Sequence, residues 1–126
     1  MEIGTIKAVH IYMHRQLYVT AALELNLKGV KYIFGGHEVF LSGMHGGESA
    51  DAPYLGRFLF RCMHVCKADN WDQLKSSKVL VEIRNGKVVA IADTAGNNWF
   101  NPKEEFEAMN LEKEQIESTA RDATKS

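Results

Sequence analysis

The stretch that decides the fold is Leu17–Phe34, "LYVTAALELNLKGVKYIF". Within it Val19, Ala21, Leu23, Leu25 and Leu27 fall on one parity, and Tyr18, Thr20, Glu24 and Asn26 on the other. Side chains alternate across a strand with a period of two, so this is a strand with one core-facing side. Lys28-Gly29 is a turn signal, and "VKYIF" resumes the alternation, which predicts a second, antiparallel strand. Upstream, "IKAVHIYMHR" (Ile6–Arg15) is rich in β-branched and aromatic residues and reads as another strand. Its bulky groups, such as Ile6, Ile11 and Tyr12, occupy both faces. Closed symmetry would bury the second face, so an oligomer, at least a dimer, is expected.

Beyond Phe34 the pattern changes. "YIFGGHEVFLSGMHGG" (Tyr32–Gly47) holds five of the ten glycines and two of the five histidines. The small, polar residues from Gly43 to Ala52 read as a loop. Tyr54, Leu55, Phe58, Leu59, Cys62, Met63 and Cys66 then recur at helical spacing, and Asp51 and Pro53 are plausible start signals. This helix should fade near Ala68. "NWDQL" is a short turn capped by Asn70. "VLVEIR" and "KVVAIAD", joined by Asn85-Gly86, form a hairpin. A second helix starts with Asn101 as cap, Pro102 at the first helical position and Glu104 able to close a capping box. From Lys103 to Ser126 there are seven acids and four bases. Residues 1–110 are expected to form a single α+β domain: an antiparallel sheet with a packed helix, a C-terminal β-hairpin and a second helix. Residues 111–126 are expected to be a charged, frayed or disordered tail.

Composition narrows the function. A chain of 126 residues with 45% apolar content is sized for one core. A net charge of −1 gives no bulk attraction to a nucleic acid polymer or to a membrane. No apolar run approaches the roughly 20 residues that span a bilayer, and the first residues lack the order of a signal peptide. A cytoplasmic protein is expected.

The candidate chemistry is that of binding. His10 and His14, four strand residues apart, lie about 13 Å from each other and could not share a metal. His37 and His45 with Glu48 and Asp51 are better placed, yet no metal motif supports them, so no metal or other cofactor is expected. Cys62 and Cys66 sit on the apolar helix face, where a thiolate is disfavoured. No nucleophile elbow or other catalytic set stands out. The polar helix face is more informative. Arg57, Arg61, His64 and Lys67 form a stripe beside Phe60, which is either a solvated face or an anion site with an aromatic platform. Phe34-Gly35-Gly36-His37 could complete such a site, because glycine lets backbone N–H groups approach a ligand. Asn98 and Trp99 are a third candidate: Trp99 and Phe100 either plug the core or flank a ligand.

In order along the chain, Phe34-Gly35-Gly36, the helix Tyr54–Cys66, Trp71-Asp72-Gln73-Leu74-Lys75 and Asn98-Trp99-Phe100-Asn101-Pro102 resemble a group of small phage-encoded proteins. The resemblance covers roughly Leu17 to Met109. That group carries W-E-D-L-K where this chain has WDQLK, an aromatic residue where it has His37, and a larger, less polar stretch in place of "ADTAGNN". The resemblance implies a phage origin, an accessory role in an infected cell and, for some such proteins, a sponge that sequesters cyclic nucleotide or cyclic ADP-ribose signals of host defence. The expected function is a non-enzymatic binder of a small phosphorylated ligand. It would be held by Phe34, Gly35, Gly36, His37, Arg57, Phe60, Arg61, Asn98 and Trp99. Two alternatives stay open: an inhibitor that binds a host defence enzyme, and a small hydrolase with His37 or His45 as base.

Overall fold

A computed structural model describes residues 2–43 and 54–111. Six strands form one antiparallel sheet: β1 (Glu2–His14), β2 (Tyr18–Leu27), β3 (Val30–Gly35), β4 (Lys78–Arg84), β5 (Lys87–Ala92) and β6 (Trp99–Phe100), in the order β3-β2-β1-β4-β5-β6. Three helices accompany it: α1 (His37–Gly43), α2 (Tyr54–Cys66) and α3, which spans residues 102–111 of the described chain. The α+β fold, the hairpin and the second helix expected from the sequence are all present. Of the expected Gly43–Ala52 loop, Gly43 is instead the last residue of α1; its other residues, the start signals Asp51 and Pro53, and all but the first residue of the 111–126 tail lie outside the described residues.

The hairpins follow from their turns. Lys28 and Gly29 take φ of 50° and 84°, and Asn85 and Gly86 take 54° and 75°. Two successive positive φ values define the turn whose twist matches paired strands. Arg15 and Gln16 do the same at 50° and 59° between β1 and β2, without a glycine to make it cheap.

The alternation in β2 holds along its inner half. Ala21, Leu23, Leu25 and Leu27 are buried, but Val19 is exposed, because the β1–β2 hairpin runs on beyond the core. Thr20, on the other parity, is fully buried, against expectation. The chain leaving β3 crosses that outer face at Gly36 and His37 and covers it.

The core is aromatic. Phe58 of α2 meets Phe34, Phe40 and Phe100 at ring distances of 5.6, 5.5 and 5.6 Å, with Trp71 at 6.4 Å. Phe106 of α3 packs on Phe40 and Tyr54. Burying each such side chain contributes roughly 1.5–3 kcal/mol. Gly35 makes the approach possible: a Cβ there would lie 2.5 Å from the Phe58 ring, and its φ is 89°. Helix α2 ends at Lys67 with φ of 55°, where Lys67 N–H bonds the His64 carbonyl and Ala68 N–H the Met63 carbonyl. This is a Schellman closure with lysine in the position glycine usually takes. Asn70 accepts from Gln73 N–H at 3.2 Å to start the 3-10 turn Trp71–Leu74, and Asn101 accepts from Glu104 N–H at 3.2 Å to start α3.

Candidate functional site

The sheet curls until β3 approaches β5, and a cleft opens between them. Two adjoining hollows of about 430 and 590 Å³ share Gly35, Val39, Lys87 and Val88. The first is walled by Tyr12, Lys31, Tyr32, Gly36 and His37, and the second by Phe34, Arg84, Asn85, Asn101 and Lys103. Four cations therefore stand around an apolar floor with two tyrosines. Lys87 pairs with Glu38 at 3.6 Å and Lys31 with Glu24 at 2.9 Å; both lysine side chains are mostly exposed, so these pairs are weak and exchangeable. Glu104 and Glu107 also line the second hollow.

Of the residues expected to bind a ligand, Phe34, Gly35, Gly36 and His37 line this cleft. Arg57, Phe60, Arg61, Asn98 and Trp99 do not. Arg61 is turned into the fold: Nε donates to Glu105 at 2.7 Å, Nη1 to the Asn98 side chain at 2.7 Å, and Nη2 to the Trp99 carbonyl at 2.6 Å. Its guanidinium also lies over the Phe100 ring, 5.3 Å from the centroid. Only 12% of this side chain is exposed, and its fork of donors is committed. Arg57, half exposed, reaches the same Glu105 at 4.0 Å. Phe60 is exposed and stacks on His64, with ring centroids 5.5 Å apart. The expected site thus falls into two places. One is the glycine end of β3. The other is a tie between α2 and the segment running from Asn98 to α3. Helical spacing placed Arg57 and Arg61 on one stripe, but Glu105 comes from elsewhere in the chain and claims both.

The glycine end holds a cluster that the linear spacing of the histidines concealed. His37 lies parallel to His14, with centroids 4.1 Å apart and planes at 7°. The Tyr12 hydroxyl is 3.0 Å from His37 Nδ1 and accepts from the His37 N–H at 3.2 Å. Tyr18 donates to the His37 carbonyl at 3.3 Å. Tyr12, His14, Tyr18 and Thr20 share the outer face of the β1–β2 hairpin, since Tyr12 opposes Thr20 and His14 opposes Tyr18. Strand parity could have grouped them; only the crossing chain adds His37. The His14 pKa is lowered, by desolvation first and then by the positive neighbours His37 and Arg15. Tyr18 is raised by desolvation and by Tyr12.

Burial pushes both thiols up, Cys62 strongly and Cys66 less, so neither is a ready nucleophile. Among the described residues no group of three or more His, Cys, Asp or Glu could hold a metal ion, and no helix is long and apolar enough to cross a membrane. His45, Glu48 and Asp51 lie outside the described residues. The "ADTAGNN" loop is organised by Asp93, whose carboxylate accepts the N–H groups of Asn97 and Asn98 at 2.8 Å each.

Comparison with known proteins finds no matching family model, no similar curated protein and no similar solved structure.

Proposed function

We propose that the protein is a non-enzymatic binder of a small phosphorylated, nucleotide-like ligand, held in the cleft between β3 and β5. The observation that carries this reading is the lining of the cleft: Lys31, Arg84, Lys87 and Lys103 around Gly35, Val39 and Val88, with Tyr12 and Tyr32 at one end. The cations suit phosphate oxygens, and a tyrosine ring offers a base a stacking surface. The volume matches a ligand of a few hundred Å³. In the setting implied by the resemblance to phage proteins, such a binder acts as a sponge, retaining a host defence signal and withholding it from its effector.

The test is to incubate the protein with a panel of cyclic dinucleotides, cyclic trinucleotides and cyclic ADP-ribose, separate it, denature it and identify what is released. Intact ligand is expected. A charge-assisted contact contributes about 1.5–3 kcal/mol, so Lys87→Ala should weaken binding roughly 10- to 100-fold. Altered ligand would favour the hydrolase reading, and no retained ligand the protein inhibitor.

A further inference from the structure

We propose that two copies of this chain associate through the free edge of β1, strand against strand about a two-fold axis at Ile11, to form a dimer with one continuous sheet. β1 has 13 residues, yet β4 pairs only with Glu2–Thr5, and Ile6 extends that side through Ser76 and Ser77. Past the bulge at Ile6/Ala8, the strand pairs with β2 on one side. Among the described residues, no strand pairs with its other side there.

The phase of the ladder says which groups on that edge are unspent. Ala21 stands opposite Ile11, and its carbonyl accepts from the Gly36 N–H at 2.8 Å on the β3 side. It therefore faces away from Ile11. In an antiparallel pair, residues that do not bond each other turn their N–H and C=O groups outward on both strands. Val9, Ile11 and Met13, at alternate positions, hold their backbone groups toward the open edge. Natural edges are blunted by charges, prolines or bulges. Here the bulge and Lys7 guard one end and Arg15 the other, while His10, Ile11, Tyr12 and Met13 between them are exposed.

The side chains agree with the backbone. Ile11, Met13, Leu17 and Val19 are 49, 52, 74 and 37% exposed at this end of the hairpin. Ile11, Met13 and Val19 continue the face that carries Leu23 and Leu25 into the core. Ile11 and Met13 stand on the pairing strand itself and lose exposure directly, while Leu17 and Val19 extend the apolar surface one strand further in. A second copy fits because symmetry supplies the register. With Ile11 on the axis, Val9 meets Met13 of the second copy, and the outward donors and acceptors of both strands coincide. The apolar side chains then meet on one face, and Tyr12 meets His10 on the other.

Multi-angle light scattering at micromolar concentration should give twice the 14.2 kDa of the chain. Ile11→Pro removes an outward N–H while sparing the β1–β2 ladder, and should yield a monomer with unchanged circular dichroism. If that variant unfolds, Met13→Lys, on the same exposed face, replaces it with the same expectation. Ile11→Cys should form a covalent dimer on mild oxidation, because the axis brings the residue within about 5.5 Å of its own copy, Cα to Cα; Leu111→Cys, on α3, should not. A monomeric wild type overturns the proposal, whether the edge is covered by this chain or left for a foreign strand. So does a dimer that survives the edge substitutions. None of these readouts involves the cleft ligand, so a dimer that retains no nucleotide overturns the proposed function alone.

Discussion

Arg61 donates through Nε to Oε1 of Glu105 at 2.7 Å, and the pair ties α2 to α3. The same guanidinium holds Asn98 and the Trp99 carbonyl, so one side chain joins α2, the loop before β6, β6 itself and α3. Arg61→Ala removes the donor from the Asn98 side chain and the Trp99 carbonyl and leaves Glu105 only the longer contact to Arg57, in a half-buried site. The expected loss is about 2 kcal/mol, a Tm drop of roughly 6–10 °C for a domain of this size. Arg61→Lys should recover little, because an ammonium cannot span the three acceptors. Thermal unfolding of both variants checks this. An undiminished Tm in Arg61→Ala would free the guanidinium for a ligand.

Gly35→Ala should be among the most damaging small substitutions. Its Cβ would meet Phe58 at 2.5 Å and the Ala21 carbonyl at 2.9 Å, in a backbone with φ of 89°. Neither neighbour is the end of a flexible chain. A loss of about 3 kcal/mol is expected from overpacking and strain together. Gly29→Ala has a similar φ of 84° but nothing within 4 Å, and should cost about 1 kcal/mol. Urea unfolding of the two variants separates packing from backbone cost. Equal losses would refute the role given to Phe58.

The Asp93 carboxyl is held below its ordinary value of 3.8, first by the Asn98 N–H and also by the Asn97 N–H and Lys67, against a smaller opposing desolvation. A depressed folded-state pKa contributes stability that is present above the unfolded value and is lost as pH falls through the folded one. Unfolding free energies of wild type and Asp93→Asn, measured from pH 6 to pH 3, should therefore differ most at the upper end and converge in acid. A difference independent of pH would exclude the carboxylate charge as the cause.

His14 should titrate below 6.5, because desolvation and then the positive neighbours His37 and Arg15 oppose its proton. The sign is again that of a lowered pKa: the contribution to stability is present above about 6.5 and declines as pH falls. Proton resonances of the ring, followed from pH 8 to pH 5, give the midpoint. His37→Ala should move it upward by removing both the stacked ring and its charge. A midpoint above 6.5 in the wild type would contradict the stacked geometry.

What the sequence determined by itself is local. The period of two from Val19 to Leu27, the paired positive-φ turns at Lys28-Gly29 and Asn85-Gly86, the Asn70 and Asn101 caps and the apolar stripe of Tyr54–Cys66 depend on neighbours within a few residues, so they were legible along the chain. Helix α1 was not, because its pattern is brief and follows two glycines with φ of 89° and 87°. Tertiary structure alone decided which polar groups met. Arg61 and Arg57 were placed correctly on one helix, but their partner Glu105 lies 44 positions after Arg61. His14 and His37 are 23 positions apart in the chain and stack only because the segment after β3 folds over the outer face of the hairpin. The same crossing buried Thr20 against its parity, whereas Val19 stays in solvent because the hairpin projects beyond the core. Contacts closed by long loops carry no periodic signature, since any residue of suitable shape and charge can supply the far side. The physical character of Arg61 could be read from the chain; that its guanidinium meets Glu105, Asn98 and the Trp99 carbonyl was decided by what packed against it.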